Sequence, residues 1–340
     1  MLELDGSFGE GGGQILRTSL TLSLVTGKAF HLRKVRARRS KPGLRPQHLM
    51  SVRAAAAIGQ AQARGDALGN SDLTFEPGKV VPGNYHFDIG TAGAIGLVLQ
   101  TIYLPLALRS SAPSAITLTG GTHVKASPCF HFLDSTWRRY LGLLGLQVSL
   151  KMIRPGFYPR GGGVVHASIQ PCAGIGSLQV TEWHNITRAE GVSAVAGLVE
   201  QIASRQARRA STRLKQCGLE VDIREEKWTG GPGTVLTVAL PTHPVPTLFF
   251  GLGERGKPAE KVADEAADQA GAFLAARHPV DAHSADQLVL PLAFADGPST
   301  LAVSEVSSHL LTNIAVIQQF LDRDIICGGQ EGRPGIVHIR

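Results

Sequence analysis

Leu104-Pro105-Leu106-Ala107, followed by Pro113-Ser114 and an apolar run to Leu118, returns as Leu290-Pro291-Leu292-Ala293, followed by Pro298-Ser299 and Leu301-Ala302-Val303. From Leu104 to Leu290 the offset is 186 residues. A weaker echo gives Gln14–Leu24 the same glycine-led apolar spacing as Gly96–Leu106, an offset of 82. Taking about 82 residues as one unit, the longer offset is one unit plus roughly 104 more. The simplest organisation is an α/β protein of three similar units, 1–179 and 280–340. An inserted domain over 180–279 displaces the third unit.

Each unit reads as helix, strand, helix, hairpin. In the first, Leu16, Leu20 and Leu24 form an i, i+4, i+8 stripe after the glycines. A strand over 29–32, a helix over about 47–59 and a hairpin at Pro77-Gly78 and Pro82-Gly83 follow. The second unit places helices near 92–108 and 130–144. The insert reads as a strand, a helix over about 189–217, strands near 219–225 and 234–240, and a charged helix near 258–277. The third unit resumes at Ser284, with its second helix over 308–321. Each unit buries its apolar helix faces against one side of a sheet.

Composition narrows the partners. Hydrophobic residues make up 43% and charged residues 18%, which excludes a disordered chain, and the net charge of +7 points to an anionic partner. The uncharged stretch 90–108 is long enough to span a bilayer, but Gln100, Pro105 and its glycines favour a buried helix of a non-membrane protein. Cys129, Cys172, Cys217 and Cys327 stand far apart, with no CxxC pair and no paired histidine spacing. That argues against a disulfide framework or a structural zinc site, and for a reducing, cytoplasmic setting. No apolar secretory stretch opens the chain.

Four stretches carry candidate chemistry. Gly9-Glu10-Gly11-Gly12-Gly13-Gln14 is neither a dinucleotide fingerprint nor a P-loop, yet its glycines let backbone amides approach a phosphate where a helix begins. Glu10 could hold a divalent metal beside that phosphate. Arg33 to Arg45 holds seven cations and no acid in thirteen residues, which favours a polyanion; in a strand, Arg36 and Arg38 would face opposite ways. Aromatic residues are scarce there, so contact with a strand end fits better than a stacking platform. In Ser307-Ser308-His309, a serine N-cap leaves His309 in the first helical turn, where the helix dipole disfavours imidazolium and a neutral nucleophile is expected. Gly156-Phe157-Tyr158-Pro159 with Gly161-Gly162-Gly163 reads locally as a glycine-rich hairpin.

Together with Lys41-Pro42-Gly43-Leu44, Gln47-His48, Ala285-Asp286-Gln287-Leu288 and His309-Leu310-Leu311-Thr312-Asn313, these blocks resemble the RNA 3'-terminal phosphate cyclase family, from about Leu4 to the C-terminus. The resemblance implies three repeats resembling the C-terminal domain of bacterial initiation factor three, plus a thioredoxin-like insert. It implies ATP-dependent conversion of an RNA 3'-phosphate to a 2',3'-cyclic phosphate, through a histidyl–AMP intermediate on His309 and an RNA(3')pp(5')A anhydride. It assigns ATP contacts to Gln100, Ser284, Ala285, Asp286 and Gln287, and an adenine pocket to Pro128, Phe132 and His283, the last standing where relatives often carry Tyr. Arg17, Arg36, Arg39, His48 and Asn313 are candidates for the phosphates and the RNA end, and Glu10 for Mg or Mn. The expected partners are 3'-phosphorylated RNA and ATP, with no membrane; the oligomeric state is open, a homodimer among the options.

Two other classes compete. Cyclase-like ribosome-assembly proteins share the fold but lack the nucleophilic histidine, whereas His309 is present here. An enolpyruvyl transferase uses a related repeated architecture but explains neither His309 nor the unopposed basic run. A lysine-type nucleotidyltransferase would need Lys-x-Asp-Gly, which does not occur.

Overall fold

A computed structural model describes every residue, Met1–Arg340, as a mixed α/β protein. The chain opens with β1 (Leu2–Asp5), α1 (Gln14–Thr26), β2 (Phe30–Arg33), α2 (Pro46–Gly59), β3 (Gln62–Arg64) and β4 (Leu73–Glu76). Next come β5 (Asn84–Asp88), α3 (Ile95–Arg109), β6 (Ser114–Gly120) and α4 (Phe130–Phe132). Helix α4 runs through a π-helical turn, Leu133–Trp137, into α5 (Arg138–Leu143), and β7 (Val148–Arg154) and β8 (Gly163–Ile169) follow. β9 (Gln179–Val180) precedes β10 (Arg188–Ala196), α6 (Gln201–Gln216), β11 (Glu220–Trp228), β12 (Gly233–Leu240), β13 (Thr247–Leu252) and α7 (Ala259–Ala276). The chain closes with α8 (Ala282–Leu292), β14 (Ser299–Val303), α9 (Ser308–Phe320), β15 (Ile325–Gly328) and β16 (Gly335–Ile339).

Three sheets share one order: β1-β2-β4-β3, β5-β6-β8-β7 and β9-β14-β16-β15. In each, the first pair is parallel and the next two are antiparallel. Every repeat therefore starts with a strand that the sequence reading lacked. These strands are short and half-polar, so alternation alone does not mark them. In the third sheet, β9 and β14 pair across the whole stretch between them, where β11-β10-β12-β13 forms a fourth sheet.

Two other expectations change. The hairpin of the first repeat is β3–β4, not the Pro77–Gly83 segment, which leads to β5 in the next sheet. That segment tucks under α2, where Gly78 and Val81 donate to the carbonyls of Gly59 and Ile58 and satisfy the helix end. The helix expected over 189–217 begins only at Gln201, because 188–196 is an interior strand paired on both edges. Its alanines suit a helix, but pairing with β11 and β12 overrides that preference.

The stretch 90–108 holds α3, buried on nearly every side, and no helix is long and apolar enough to cross a membrane. Pro105 within α3 cannot bond the Thr101 carbonyl; the Thr21 hydroxyl of α1 donates to that carbonyl instead, at 2.8 Å. One apolar core threads all three repeats, and a second fills the space between the fourth sheet and helices α6 and α7. Phe157 joins the two regions: it is 5% exposed and packs with Val192, Ala194, Val235 and Leu252. Thr136 donates to the Pro246 carbonyl at 2.8 Å, a second tie between them. The cysteines are all unpaired.

Candidate active site

The first turns of α1, α2, α8 and α9 face one cleft of about 1600 Å³. Four positive helix ends directed at one space favour bound anions. Each start has a local cause. Ser307 caps α9 by accepting the Leu310 amide at 3.1 Å. The Asp281 carboxylate caps α8 by accepting the amides of His283 and Ser284. Pro46 opens α2, and Gly13 precedes α1, where a Cβ would collide with His48 and Arg17. Gly9, at φ +54°, lets the loop pass against Thr312.

His309 projects into the cleft from the first turn of α9, its side chain 46% exposed. Its Nδ1 stands 3.3 Å from the Glu10 carboxylate, and no hydrogen bond engages Nε2. The helix dipole leads one to expect a depressed imidazole, and this is corrected. Glu10 raises His309 above its ordinary value, with burial opposing and Asp286 assisting. A carboxylate in contact outweighs partial charges spread over a helix turn.

Glu10 is only 7% exposed at its side chain, and Arg39 donates to it at 2.5 Å. Burial alone would raise its carboxyl; His309, Arg39 and Arg17 together hold it below the ordinary value. Arg17 donates to Gln14 at 2.7 Å, and burial lowers its guanidinium to about 10, still cationic at neutral pH. His48 is pushed down to about 2 by burial and by Arg17, Arg36, Arg39 and Arg45, so its ring is neutral. Its Nδ1 is buried without a hydrogen-bond partner.

The basic run is a series of turns rather than a strand, with Lys34 and Arg36 at positive φ. The expected alternation of faces therefore does not apply. Arg36 donates to the carbonyls of Lys41 and Gly43, Arg38 to that of Gly9, and Arg39 to Glu10. The loop thus fastens itself to the glycine segment while Arg36 and Arg39 reach the cleft.

Every candidate residue from the sequence lines this cleft except Ser284 and Ala285. Ser284 is buried and donates to Asp281, and Ala285 is fully buried in the core. Asn313 is also buried, its amide shared among three helices: it donates to Asp286 at 2.6 Å and accepts from Gln14 and Thr18. Burial raises the Asp286 carboxyl despite His309, His283 and Arg17 nearby. Gln100 donates to Gln287 at 2.6 Å, and Phe132 meets the exposed His283 edge-on at 6.4 Å, with Pro128 on the same wall.

The family model for RNA 3'-terminal phosphate cyclase matches residues 8–327. Proteins named RNA 3'-terminal phosphate cyclase are similar along nearly the whole chain. The one from Ralstonia nicotianae is 44% identical, covering 94% of this chain and 91% of its own. Those from Caldivirga maquilingensis and Pyrobaculum aerophilum are 42% and 40% identical, covering 96% and 94% of this chain and 94% and 92% of their own. This chain belongs to the RNA 3'-terminal phosphate cyclase family.

In this family member, sequence reasoning missed the residues that tie the site together. Gln14 and Thr18, one helical turn apart on α1, both reach Asn313, a spacing that could have been read from the sequence. Arg205, Arg255 and Lys257 bring cations to the cleft from the 180–279 region, and Tyr158, 75% exposed, stands at its edge. No local signal in the chain announces that wall, because it exists only once the fourth sheet is docked.

Proposed function

We propose that this protein converts an RNA 3'-terminal phosphate to a 2',3'-cyclic phosphate, using ATP, with His309 as the nucleophile. The observation that carries the reading is His309 at the cleft, Nδ1 against Glu10 and Nε2 free, amid Arg17, Arg36 and Arg39. Nε2 attacks the α-phosphorus of ATP; an N–P bond forms, the α–β anhydride bond breaks, and pyrophosphate leaves. The Glu10 carboxylate keeps the proton on Nδ1 and offsets the charge that the phosphoramidate places on the ring. An oxygen of the RNA 3'-phosphate then attacks the same phosphorus, and the N–P bond breaks to restore the neutral imidazole. Finally the neighbouring 2'-OH attacks the activated terminal phosphorus, and AMP departs carrying the hydroxyl proton on its phosphate. Adenylylation supplies the leaving group that a phosphate monoester lacks, and ring closure is intramolecular.

The arginines hold the phosphates, Arg's fork suiting that task. The wall of Pro128, Phe132 and His283 takes the base. A divalent metal, Mg or Mn, fits as well: one Glu10 oxygen accepts Arg39, and no hydrogen bond claims the other. Such an ion, held by Glu10 and the triphosphate, would offset phosphate charge. The division into 1–179 with 280–340 and 180–279 is part of this proposal, supported by the shared order of three sheets, except that β9 carries the third sheet one residue past the first boundary, through Val180.

Incubation with α-labelled ATP and a divalent metal is expected to label the protein through a bond lost in acid and kept in alkali. His309→Ala should abolish the label; label retained in that variant overturns the assignment. Cyclisation of 3'-phosphorylated but not 3'-hydroxyl RNA completes the test.

A further inference from the structure

Behind the base-binding wall, three side chains that the chemistry above does not use come together. His123 and Cys129 are buried and His131 is half-buried, and their ligand atoms all lie within 4.8 Å of one another. His123 Nε2 and His131 Nδ1 are 3.0 Å apart. The other nitrogen of His123, Nδ1, is 2.7 Å from the Thr122 hydroxyl, which also accepts the Gly156 amide. That contact orients the ring and turns Nε2 toward His131 Nδ1, with which it shares a hydrogen bond that an ion between the two nitrogens would replace. Aromatic packing holds both imidazoles: His123 lies on Phe157 at 5.3 Å, and His131 lies on Trp228 at 5.4 Å, with their planes 11° apart. Cys129 stands at the N-cap of α4, and burial pushes its thiol up to about 12, so the sulfur keeps its proton until a metal ion displaces it.

We propose that His123, Cys129 and His131 form a binding site for a borderline-soft divalent transition ion such as zinc, with a fourth position open to solvent from the cleft. Two imidazoles and one thiolate suit zinc; magnesium and manganese prefer oxygen, so this ion is distinct from the one near Glu10. His123 itself lines the cleft, which gives the ion a path in. Binding forms one metal–sulfur and two metal–nitrogen bonds and displaces the thiol proton, with no change of oxidation state. Pro128 and Phe132 flank the ligands in sequence, so the ion would brace the wall that takes the base. Through Trp228 it would also brace the contact with the fourth sheet.

The test uses the full chain, stripped with a chelator and titrated with cobalt(II) alone, then with zinc. A single cobalt ion should give a thiolate-to-metal band in the near ultraviolet and the intense visible bands of four-coordinate cobalt, and zinc should erase both. Cys129→Ser should abolish the near-ultraviolet band, while Cys327→Ser should keep it. His131→Gln should weaken cobalt binding by at least about tenfold, and it carries the test if Cys129→Ser does not fold. Glu10→Gln should leave the bands unchanged, which separates this site from the nucleotide side. Absence of the thiolate band in the wild-type chain, its survival in folded Cys129→Ser, undiminished cobalt binding in His131→Gln or its loss in Glu10→Gln would each overturn the proposal.

Discussion

Glu10 raises the His309 imidazole above its ordinary value, which under the proposed reaction sets the pH at which the ring can attack. A protonated imidazole has no lone pair on Nε2, so adenylylation should rise with pH, with a midpoint above the ordinary 6.5 because Glu10 raises the ring. In Glu10→Gln the ring loses that carboxylate and the midpoint should move down, apart from any fall in maximal rate. Single-turnover labelling across a pH series measures it, and an unmoved midpoint would show that Glu10 does not govern the ring. The same pair contributes to stability below pH 6.5, where His309 is protonated in both states, and that contribution is lost as pH climbs through the raised folded value. Of these features, His309 as a first-turn residue was legible from Ser307. The direction of its shift was not, because Glu10 is 299 positions away and only folding sets it beside the ring.

At the scale of elements, the helices around the site are joined by buried polar groups. The Thr21 hydroxyl answers the carbonyl that Pro105 leaves without a donor, so Thr21→Val should destabilise the protein by about 1–3 kcal/mol, read by denaturant unfolding. Asn313→Ala removes the partner of Asp286, Gln14 and Thr18 at once and should cost about 3 kcal/mol, with adenylylation falling as α1, α8 and α9 lose their common tie. Stability unchanged in either variant would mean that water replaces the lost bond. Helix positions were readable from apolar periodicity, as α1, α2, α3 and α9 attest. Strand 188–196 was not, since its alanines suit a helix and only two flanking strands make it extended.

Across the whole molecule, one face gathers helix ends and cations from distant parts of the chain. RNA binding should therefore weaken steeply with salt. Arg36→Ala should reduce the slope of log affinity against log salt by about 0.7, the share of one contact with a single strand. Binding isotherms at several salt concentrations measure this, and an unchanged slope would remove Arg36 from the phosphate path. Phe157 offers a check on the docked fourth sheet. Phe157→Ala should cost about 3–5 kcal/mol, since it empties a pocket shared by both regions. Calorimetric unfolding would read it, and a loss below about 1 kcal/mol would show that the contact is loose.

The repeated Leu-Pro-Leu-Ala segments, the glycines before α1 and the serine before α9 determined the three-unit α/β plan and the place of His309 in the first turn of α9, because propensity, periodicity and capping act over a few residues. Tertiary structure decided what no local rule reaches: the Glu10 carboxylate behind His309, the Asn313 tie among three helices, the second wall of the cleft, and the cluster around Cys129. The first three depend on side chains far apart in the chain meeting, some at distances of about 3 Å, and the cluster on a loop and a helix start folding against Phe157 and Trp228; only the packing of complete sheets and helices sets such contacts.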